Sequence, residues 1–241
     1  MLEITAISVW TDNYVYLLRD AETGKTAVVD PTEAAPVVTE LERQGLRLDR
    51  IVNTHHHVDH IGGNADLKSR YGCDVAGPAS DQNRILTMDH GLQDGDVLRV
   101  GSSEAQVLFI PGHTTGHIAL WFEADAALFC GDTLFSLGCG RLFEGTAEQM
   151  WASLSRLAAL PPETRVYCAH EYTEANGRFA LTVEPGNADL QTRMGEVREL
   201  RAKGRSTLPS TVGLEKRTNP FLRAGSARRF AELRQAKDAF R

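Results

Sequence analysis

The stretch Thr54-His55-His56-His57-Val58-Asp59-His60 decides how the rest of this chain is interpreted. It places four side chains that can bind metals, those of His55, His57, Asp59 and His60, within six residues. Because side chains alternate along an extended segment, His55 and His57 are expected on one side. A turn after them would carry Asp59 and His60 to a second, nearby point. The spacing therefore predicts a site for two adjacent metal ions.

The segments on either side of this stretch predict where it lies in the fold. An apolar, strand-like segment, 50–53, precedes it, and a helix-like segment, 65–71, follows after Gly62 and Gly63. This order places the stretch in a loop at the carboxyl end of a strand, where open sheets commonly bind their ligands.

The donor atoms of the stretch are imidazole nitrogens and carboxylate oxygens. Zinc-like cations accept both, and a catalytic site keeps a position open for water or substrate. A structural zinc site would more often use paired cysteines, and no CxxC pair occurs among the four cysteines, Cys73, Cys130, Cys139 and Cys168. The alternative interpretation is a solvated, histidine-rich loop without a metal.

The pattern His-x-His-x-Asp-His after a short apolar strand resembles the signature of the metallo-β-lactamase superfamily. The resemblance implies an α+β fold, an αββα sandwich. It also implies three further ligands: His113 in Pro111–His117, Asp132 in Phe129–Thr133 and His170 in Cys168–Thr173. One metal would then be bound by His55, His57 and His113, and the other by Asp59, His60 and His170. Asp132 would be shared by both.

The remaining histidines are given other roles. The side chain of His56, between two ligands, is expected to turn away and to pack or support its neighbours. His117 is expected to pack or hydrogen-bond on its strand, and His90 to lie on the surface.

Two adjacent divalent metals, zinc first and iron or manganese next, suit hydrolysis. They can hold a hydroxide at neutral pH and polarise a carbonyl, so no protein nucleophile is required. Asp59 could help to orient that hydroxide, but as a metal ligand it is a poor general base. Cys130 and Cys139 are expected to be packing thiols.

Further strings narrow the resemblance to the glyoxalase II (hydroxyacylglutathione hydrolase) family, along the whole chain. These are THHHVDHIGGN, GHTTGH, CGDTLF, GCGRLFEGT, AHEYT and VEPGN. The resemblance implies hydrolysis of S-(2-hydroxyacyl)glutathione, above all S-D-lactoylglutathione, to glutathione and a 2-hydroxy acid, the second step of methylglyoxal detoxification. The positions that would contact glutathione are Arg141, Phe143, Tyr172, Arg234 and Lys237. Phe143 stands where some relatives have tyrosine, so it can pack but cannot donate a hydrogen bond.

Two other functions remain open at this point. A persulfide dioxygenase with one iron is similar to this family, although the helical tail and the seven ligands favour the hydrolase. A binding module without turnover, for a glutathione conjugate or RNA, would have no use for seven spaced ligands.

Charge is divided unevenly along the 241 residues. Residues 166–241 contain 14 Lys and Arg against 9 Asp and Glu, a net charge of +5. The remainder of the chain has a net charge of −11, and the two sum to −6. A basic tail suits an anionic substrate. The chain contains no extended basic run of the kind that would predict a nucleic-acid partner. No apolar run approaches the roughly 18 residues of a membrane helix, and no signal-like segment begins the chain. We therefore expect a cytoplasmic enzyme, a monomer without a membrane partner.

The predicted elements fall into two domains, 1–168 and 169–241. The first contains the sandwich. It is predicted to have a helix over 35–44 that ends at Gly45, and a helix over 146–160 that begins with a Thr146/Gln149 capping box. The second is predicted to be helical over 172–181, 187–203 and 226–240, without a strand. Residues 206–219 are rich in Ser, Thr and Gly and predict a long loop.

Overall fold

The computed structural model describes residues 1–240. They form two compact units: the first comprises Met1–Phe109 and Gly116–Gly131, and the second comprises Ile110–Thr115 and the chain from Asp132 onward. The boundary predicted between residues 168 and 169 stays a prediction, and Arg241, with which the second predicted domain ends, lies outside the described residues.

The first unit contains a mixed sheet that carries the ligand loop. Its strands lie in chain order: β1 (Leu2–Val9), β2 (Asn13–Asp20), β3 (Thr26–Val29), β4 (Arg50–Val52), β5 (Asp74–Pro78) and β6 (His90–Leu92). The pairs from β1 to β3 are antiparallel, and those from β3 to β6 are parallel. The parallel strands β3 and β4 therefore end at the same edge, where the loops after them meet.

Four antiparallel strands form a second layer of the same unit: β7 (Val97–Val100), β8 (Ser103–Phe109), β9 (Ile118–Phe122) and β10 (Ala127–Gly131). The two layers pack through aromatic side chains, since the ring of Tyr16 on β2 lies edge-on to Phe129 on β10 at 5.4 Å. Both rings are buried, as expected of side chains that lie between two packed sheets.

Helices α1 (Ala34–Gln44) and α3 (Asn64–Tyr71) cover the other face of the mixed sheet, and the short α2 (Val58–Ile61) precedes α3. Leu41 and Leu67 from α1 and α3 share a core with Val15 and Leu17, whose side chains leave β2 on the face opposite Tyr16. Gly45 ends α1 with a φ of 67°, a left-handed conformation that costs glycine little, so the predicted end of this helix is confirmed.

The second unit is mainly helical. Its helices are α4 (Ala147–Ala158), α5 (Thr173–Val183), α6 (Ala188–Ala202), α7 (Val212–Thr218) and α8 (Ala227–Ala239). Short strands accompany them: β11 (Leu134–Phe135), β12 (Gly138–Cys139), β13 (Arg165–Cys168) and β14 (Ser210–Thr211). Thr146 and Gln149 form the predicted capping box at the start of α4, which confirms that prediction. The α+β class with a helical C-terminal region is also confirmed.

The prediction of a loop over 206–219 is wrong, as is the absence of strands after residue 170. Thr211 ends β14, which pairs with β13, and its side chain then accepts a hydrogen bond from Leu214 N to begin α7. The helix is only seven residues long, and its buried Glu215 pairs with Arg193 of α6. A helix of seven residues is too short to show a helical period in its sequence. Strands β5 and β6 were also missed. Of the described helices, none is both long and apolar enough to cross a membrane.

Candidate metal centre

The beginning of the ligand loop is fixed by a buried carboxylate. Asp30, at the end of β3, accepts hydrogen bonds from the backbone N–H and the hydroxyl of Thr54, each at 2.7 Å. The next side chain, His55, is fully buried and stacks on His117 with ring centroids 4.5 Å apart. Its Nε2 lies 3.1 Å from Nδ1 of His57. Two imidazole nitrogens are thus brought together as the alternation predicted.

The short helix α2 turns the chain so that Asp59 and His60 meet. Nε2 of His60 lies 3.5 Å from Oδ2 of Asp59, and its Nδ1 lies 3.0 Å from Oδ2 of Asp30. Because a carboxylate can only accept here, Asp30 keeps the proton on Nδ1 and leaves Nε2 as the ligand atom. The ligand atoms of Asp30, His55 and His60 all lie within 4.8 Å of one another.

Two further hydrogen bonds hold Asp59. Asn13 donates to its Oδ2 at 3.2 Å, and the hydroxyl of Thr32 donates to its backbone carbonyl at 2.7 Å. Sequence reasoning missed Asp30, Asn13 and Thr32. The only local signal was the polar string Asp30-Pro31-Thr32 at the end of an apolar strand.

The second unit brings together the other three predicted ligands. Asp132 has one oxygen 3.4 Å from Nε2 of His113 and the other 3.4 Å from Nε2 of His170. The backbone carbonyl of Arg141 lies 2.9 Å from Nδ1 of His113, so this ring also presents its Nε2. A carboxylate with each oxygen beside a different imidazole has the arrangement of a bridging ligand.

These distances fit divalent cations. Ligand atoms about 2.0–2.2 Å from a tetrahedral zinc lie roughly 3.4 Å from each other. The separations of 3.1–3.5 Å within each unit agree with that value. All the donors are nitrogen or oxygen and most are buried, which suits zinc, iron or manganese.

A cavity of about 420 Å³ in the second unit adjoins two of these ligands. His113 and Asp132 line it together with all five predicted substrate contacts: Arg141, Phe143, Tyr172, Arg234 and Lys237. The ring of Tyr172 stacks on His170, with centroids 4.7 Å apart and planes 2° from parallel. The ring of Phe143 lies edge-on to His113 at 5.2 Å. Residues far apart in the sequence, from His113 to Lys237, therefore line the same cavity.

The cations on α8 differ in their surroundings. Arg234 is buried, donates to the carbonyl of Cys139 at 2.9 Å and pairs with Asp238 at 2.8 Å, so it does not lie on a solvated helix face. Lys237 is half-buried and donates to the carbonyl of Ala175 at 3.3 Å. Burial lowers the pKa of Lys237, and the positive charges of Arg234 and other nearby arginines lower it further.

The structure also places the other histidines and the cysteines. His56 pairs with the buried Asp81 at 3.1 Å, and His117 is buried with Nδ1 3.0 Å from the carbonyl of Ile118, as expected. His90 is exposed, as predicted, and lies 3.2 Å from Asp74. The four cysteines are buried thiols. Burial raises the pKa of Cys139 to about 11, so its thiol is protonated at neutral pH and packs, as predicted.

Known proteins similar to this chain cover it from end to end. Residues 9–170 match the model of the metallo-beta-lactamase superfamily, and residues 171–240 match that of the hydroxyacylglutathione hydrolase C-terminus. The hydroxyacylglutathione hydrolase of Methylococcus capsulatus is 56% identical over the full length of both chains.

Solved structures agree with this result. ETHE1 from Myxococcus xanthus superposes with a TM-score of 0.73 at 28% identity, over 98% of this chain and 90% of its own. TTHA1623 in a di-iron-bound form has a TM-score of 0.63 at 26% identity, over 91% of this chain and 99% of its own. The expected metallo-β-lactamase fold is therefore confirmed.

Proposed function

This chain belongs to the metallo-beta-lactamase superfamily and, within it, to the hydroxyacylglutathione hydrolases, and we propose that it hydrolyses S-(2-hydroxyacyl)glutathione, above all S-D-lactoylglutathione. Water adds its oxygen to the acyl carbon, the carbon–sulfur bond breaks, and a 2-hydroxy acid and glutathione are released. The observation that carries this proposal is the cavity in which two predicted ligands and five predicted substrate contacts lie together.

The proposed metal ligands are the seven residues that the family resemblance implies: His55, His57, Asp59, His60, His113, Asp132 and His170. The superfamily and the clusters of histidine and aspartate support two metal ions. When bound, such a pair lowers the pKa of a water so that it can lose a proton and attack at neutral pH, and it polarises the thioester carbonyl. We propose zinc as the metal, with iron and manganese as alternatives. The di-iron form of TTHA1623 supports iron as the first alternative.

The protein's own groups orient the reactants. Asn13 fixes the carboxylate of Asp59, which is proposed to help direct the attacking water, and Asp30 keeps the proton of His60 on Nδ1. The sulfur leaves as a thiolate, and because a thiol pKa is only about 8.5, no strong general acid is required. Protonation then occurs from solvent.

The cavity is proposed to bind the glutathione half. Arg141 and Lys237 offer positive charge to the carboxylates of the tripeptide, and Arg234 holds the cavity wall at Cys139. The hydroxyl of Tyr172 is proposed to hydrogen-bond the peptide backbone, while Phe143 packs without donating. We further propose a cytoplasmic monomer that binds neither nucleic acid nor membranes and acts in methylglyoxal detoxification.

The decisive experiment follows the thioester absorbance of S-D-lactoylglutathione with the purified protein, together with metal analysis and a sample treated with a chelator. We expect rapid loss of absorbance that the chelator abolishes, with close to two metals per chain. Lactoyl-coenzyme A serves as the control thioester, because it lacks the tripeptide, and should react far more slowly. Full metal occupancy without turnover would refute the hydrolase, and oxygen uptake with glutathione persulfide would then indicate the dioxygenase.

A further inference from the structure

The backbone of Trp10 adopts a left-handed conformation that is unfavourable for a residue with a bulky side chain. The turn Trp10-Thr11-Asp12 joins β1 to β2, whose last and first residues, Val9 and Asn13, pair directly. Within it Trp10 has a φ of 52°, in the left-handed region, and its side chain is 58% exposed. A bulky residue is an outlier in that region, where glycine or asparagine fits without strain. Neither burial nor backbone geometry accounts for a tryptophan at this position.

The indole is held in place even though it is exposed. Its N–H donates to the carboxylate of Glu33, in the loop that follows β3. The same loop provides Thr32, which binds the carbonyl of Asp59, and Asp30, which binds His60. An exposed ring with a fixed orientation is what a contact surface for a small ligand requires.

The turn is joined to the metal ligands from its other end as well. Asn13, the residue after the turn, donates to the carboxylate of Asp59. Trp10 is thus tied to the ligand loop through Asn13 on one side and through Glu33 on the other. Val58, the residue before Asp59, is also apolar and 71% exposed. One exposed apolar residue is thus next to a proposed metal ligand in the sequence, and the other is three residues from the side chain that binds that ligand.

We infer that Trp10, with Val58 beside the same ligand, contacts the acyl half of the thioester and sets which 2-hydroxyacyl groups are accepted. This inference rests on the proposed function. The acyl carbon must reach the metals for attack, so the substituent on the acyl group lies close to the ligand loop that carries Asp59. An indole face there favours apolar and aromatic substituents. The glutathione half has its own proposed contacts, so Trp10 affects the choice of acyl group and not the affinity for the tripeptide.

The test compares three thioesters that share glutathione and differ in the acyl substituent: hydroxyacetyl, lactoyl and mandeloyl. In Trp10→Gly, kcat/KM for the mandeloyl thioester should fall about tenfold, and that for the hydroxyacetyl thioester less than about twofold. Because glycine relieves the left-handed strain, Tm should stay unchanged or rise. Leu86→Gly removes another exposed apolar side chain, and as the matched control it should leave the ratio of the three rates unchanged.

A second readout needs no turnover. Calorimetry should show that the preference of the protein for S-benzylglutathione over S-methylglutathione falls several-fold in Trp10→Gly. An unchanged ratio of rates, or an equal loss on all three thioesters with a lower Tm, would overturn the inference while the proposed function stands. If the unsubstituted protein cleaves none of the three, the proposed function fails and the inference fails with it.

Discussion

The carboxylate of Asp132 lies between two imidazoles, 3.4 Å from a ring nitrogen of each. If it bridges two cations, Asp132→Ala removes a ligand from both at once and leaves positive charge facing positive charge. Metal content and kcat should then fall together. The metal affinity should drop on the order of 100-fold or more, because replacing even a residue that only hydrogen-bonds a ligand lowers metal affinity about 10–100-fold. Equilibrium dialysis followed by metal analysis and steady-state kinetics measures both quantities.

The matched control for Asp132→Ala is Asp66→Ala, which removes an exposed carboxylate from α3. It should leave metal content and kcat unchanged. Normal turnover by Asp132→Ala would contradict the bridging assignment, because a shared ligand has no substitute among the other six proposed.

The lowered pKa of Lys237 predicts a pH dependence of ligand binding. Burial and neighbouring arginines destabilise the charged ammonium, so this lysine loses its proton at a lower pH than the ordinary 10.5. The affinity for S-methylglutathione should therefore begin to fall at a pH below that at which an ordinary lysine titrates. Between the lowered pKa of Lys237 in the folded protein and its ordinary value of 10.5, the unfolded chain binds more protons than the folded one. The contribution of Lys237 to stability therefore rises with pH over that range.

Lys237→Gln isolates this effect. The amino group of the ligand titrates equally with both proteins, so the difference between their calorimetric pH profiles belongs to Lys237. We expect weaker binding in the variant at neutral pH and convergence of the two affinities at alkaline pH. Parallel profiles over the whole range would contradict an ion pair between Lys237 and the substrate.

At this scale the sequence predicts what is local and misses what is distant. The spacing within one loop predicts four ligands: His55, His57, Asp59 and His60. Asp30 and Asn13, which bind His60 and Asp59 across 30 and 46 residues of chain, carry no such signal. Their roles become recognisable only when the sheet brings the start of β2 and the carboxyl end of β3 beside the carboxyl end of β4.

Among the elements, the β11–β12 hairpin depends on one buried carboxylate. Glu215 of α7 is fully buried and accepts hydrogen bonds from the backbone of Leu137, from Asn219 and from Arg193 at 2.6–2.9 Å. Leu137 is at the turn of the hairpin with a φ of 60°, and Asn219 also donates to the carbonyl of Gly138. The pair of Glu215 and Arg193 thus holds a strained turn whose strands line the cavity.

Glu215→Ala should therefore lower the free energy of unfolding by about 3–5 kcal/mol, because it leaves the buried Arg193 without its counter-charge. Urea denaturation followed by circular dichroism measures the change. Glu196→Ala on the exposed face of α6 is the control and should change it by less than about 0.5 kcal/mol. A Glu215→Ala protein as stable as the original would show that the pair contributes nothing to holding the hairpin.

The same element shows where sequence-based prediction failed. Helices α1, α4 and α8 begin or end with local signals, at Gly45, Thr146 and Ser226, and their predicted positions agree with the structure to within a few residues. Helix α7 is too short to show periodicity and is stabilised by Arg193 from another helix. Its composition resembles a loop, and the buried salt bridge that stabilises it joins residues 22 positions apart.

For the molecule as a whole, the proposed ligands come from four segments spread over more than 100 residues, so metal binding should stabilise the entire fold. A ligand at about 100 times its Kd stabilises a protein by about 2.7 kcal/mol, which corresponds to roughly 5–10 °C in Tm for a chain of this size. Chelation should lower the Tm in scanning calorimetry by that amount and abolish thioester cleavage, and added zinc should restore both. The Asp132→Ala protein, which already lacks metal, should not respond to the chelator. An unchanged Tm in metal-free wild-type protein would mean that the folded chain binds the metal no more tightly than the unfolded chain does, and would contradict the proposed ligand set.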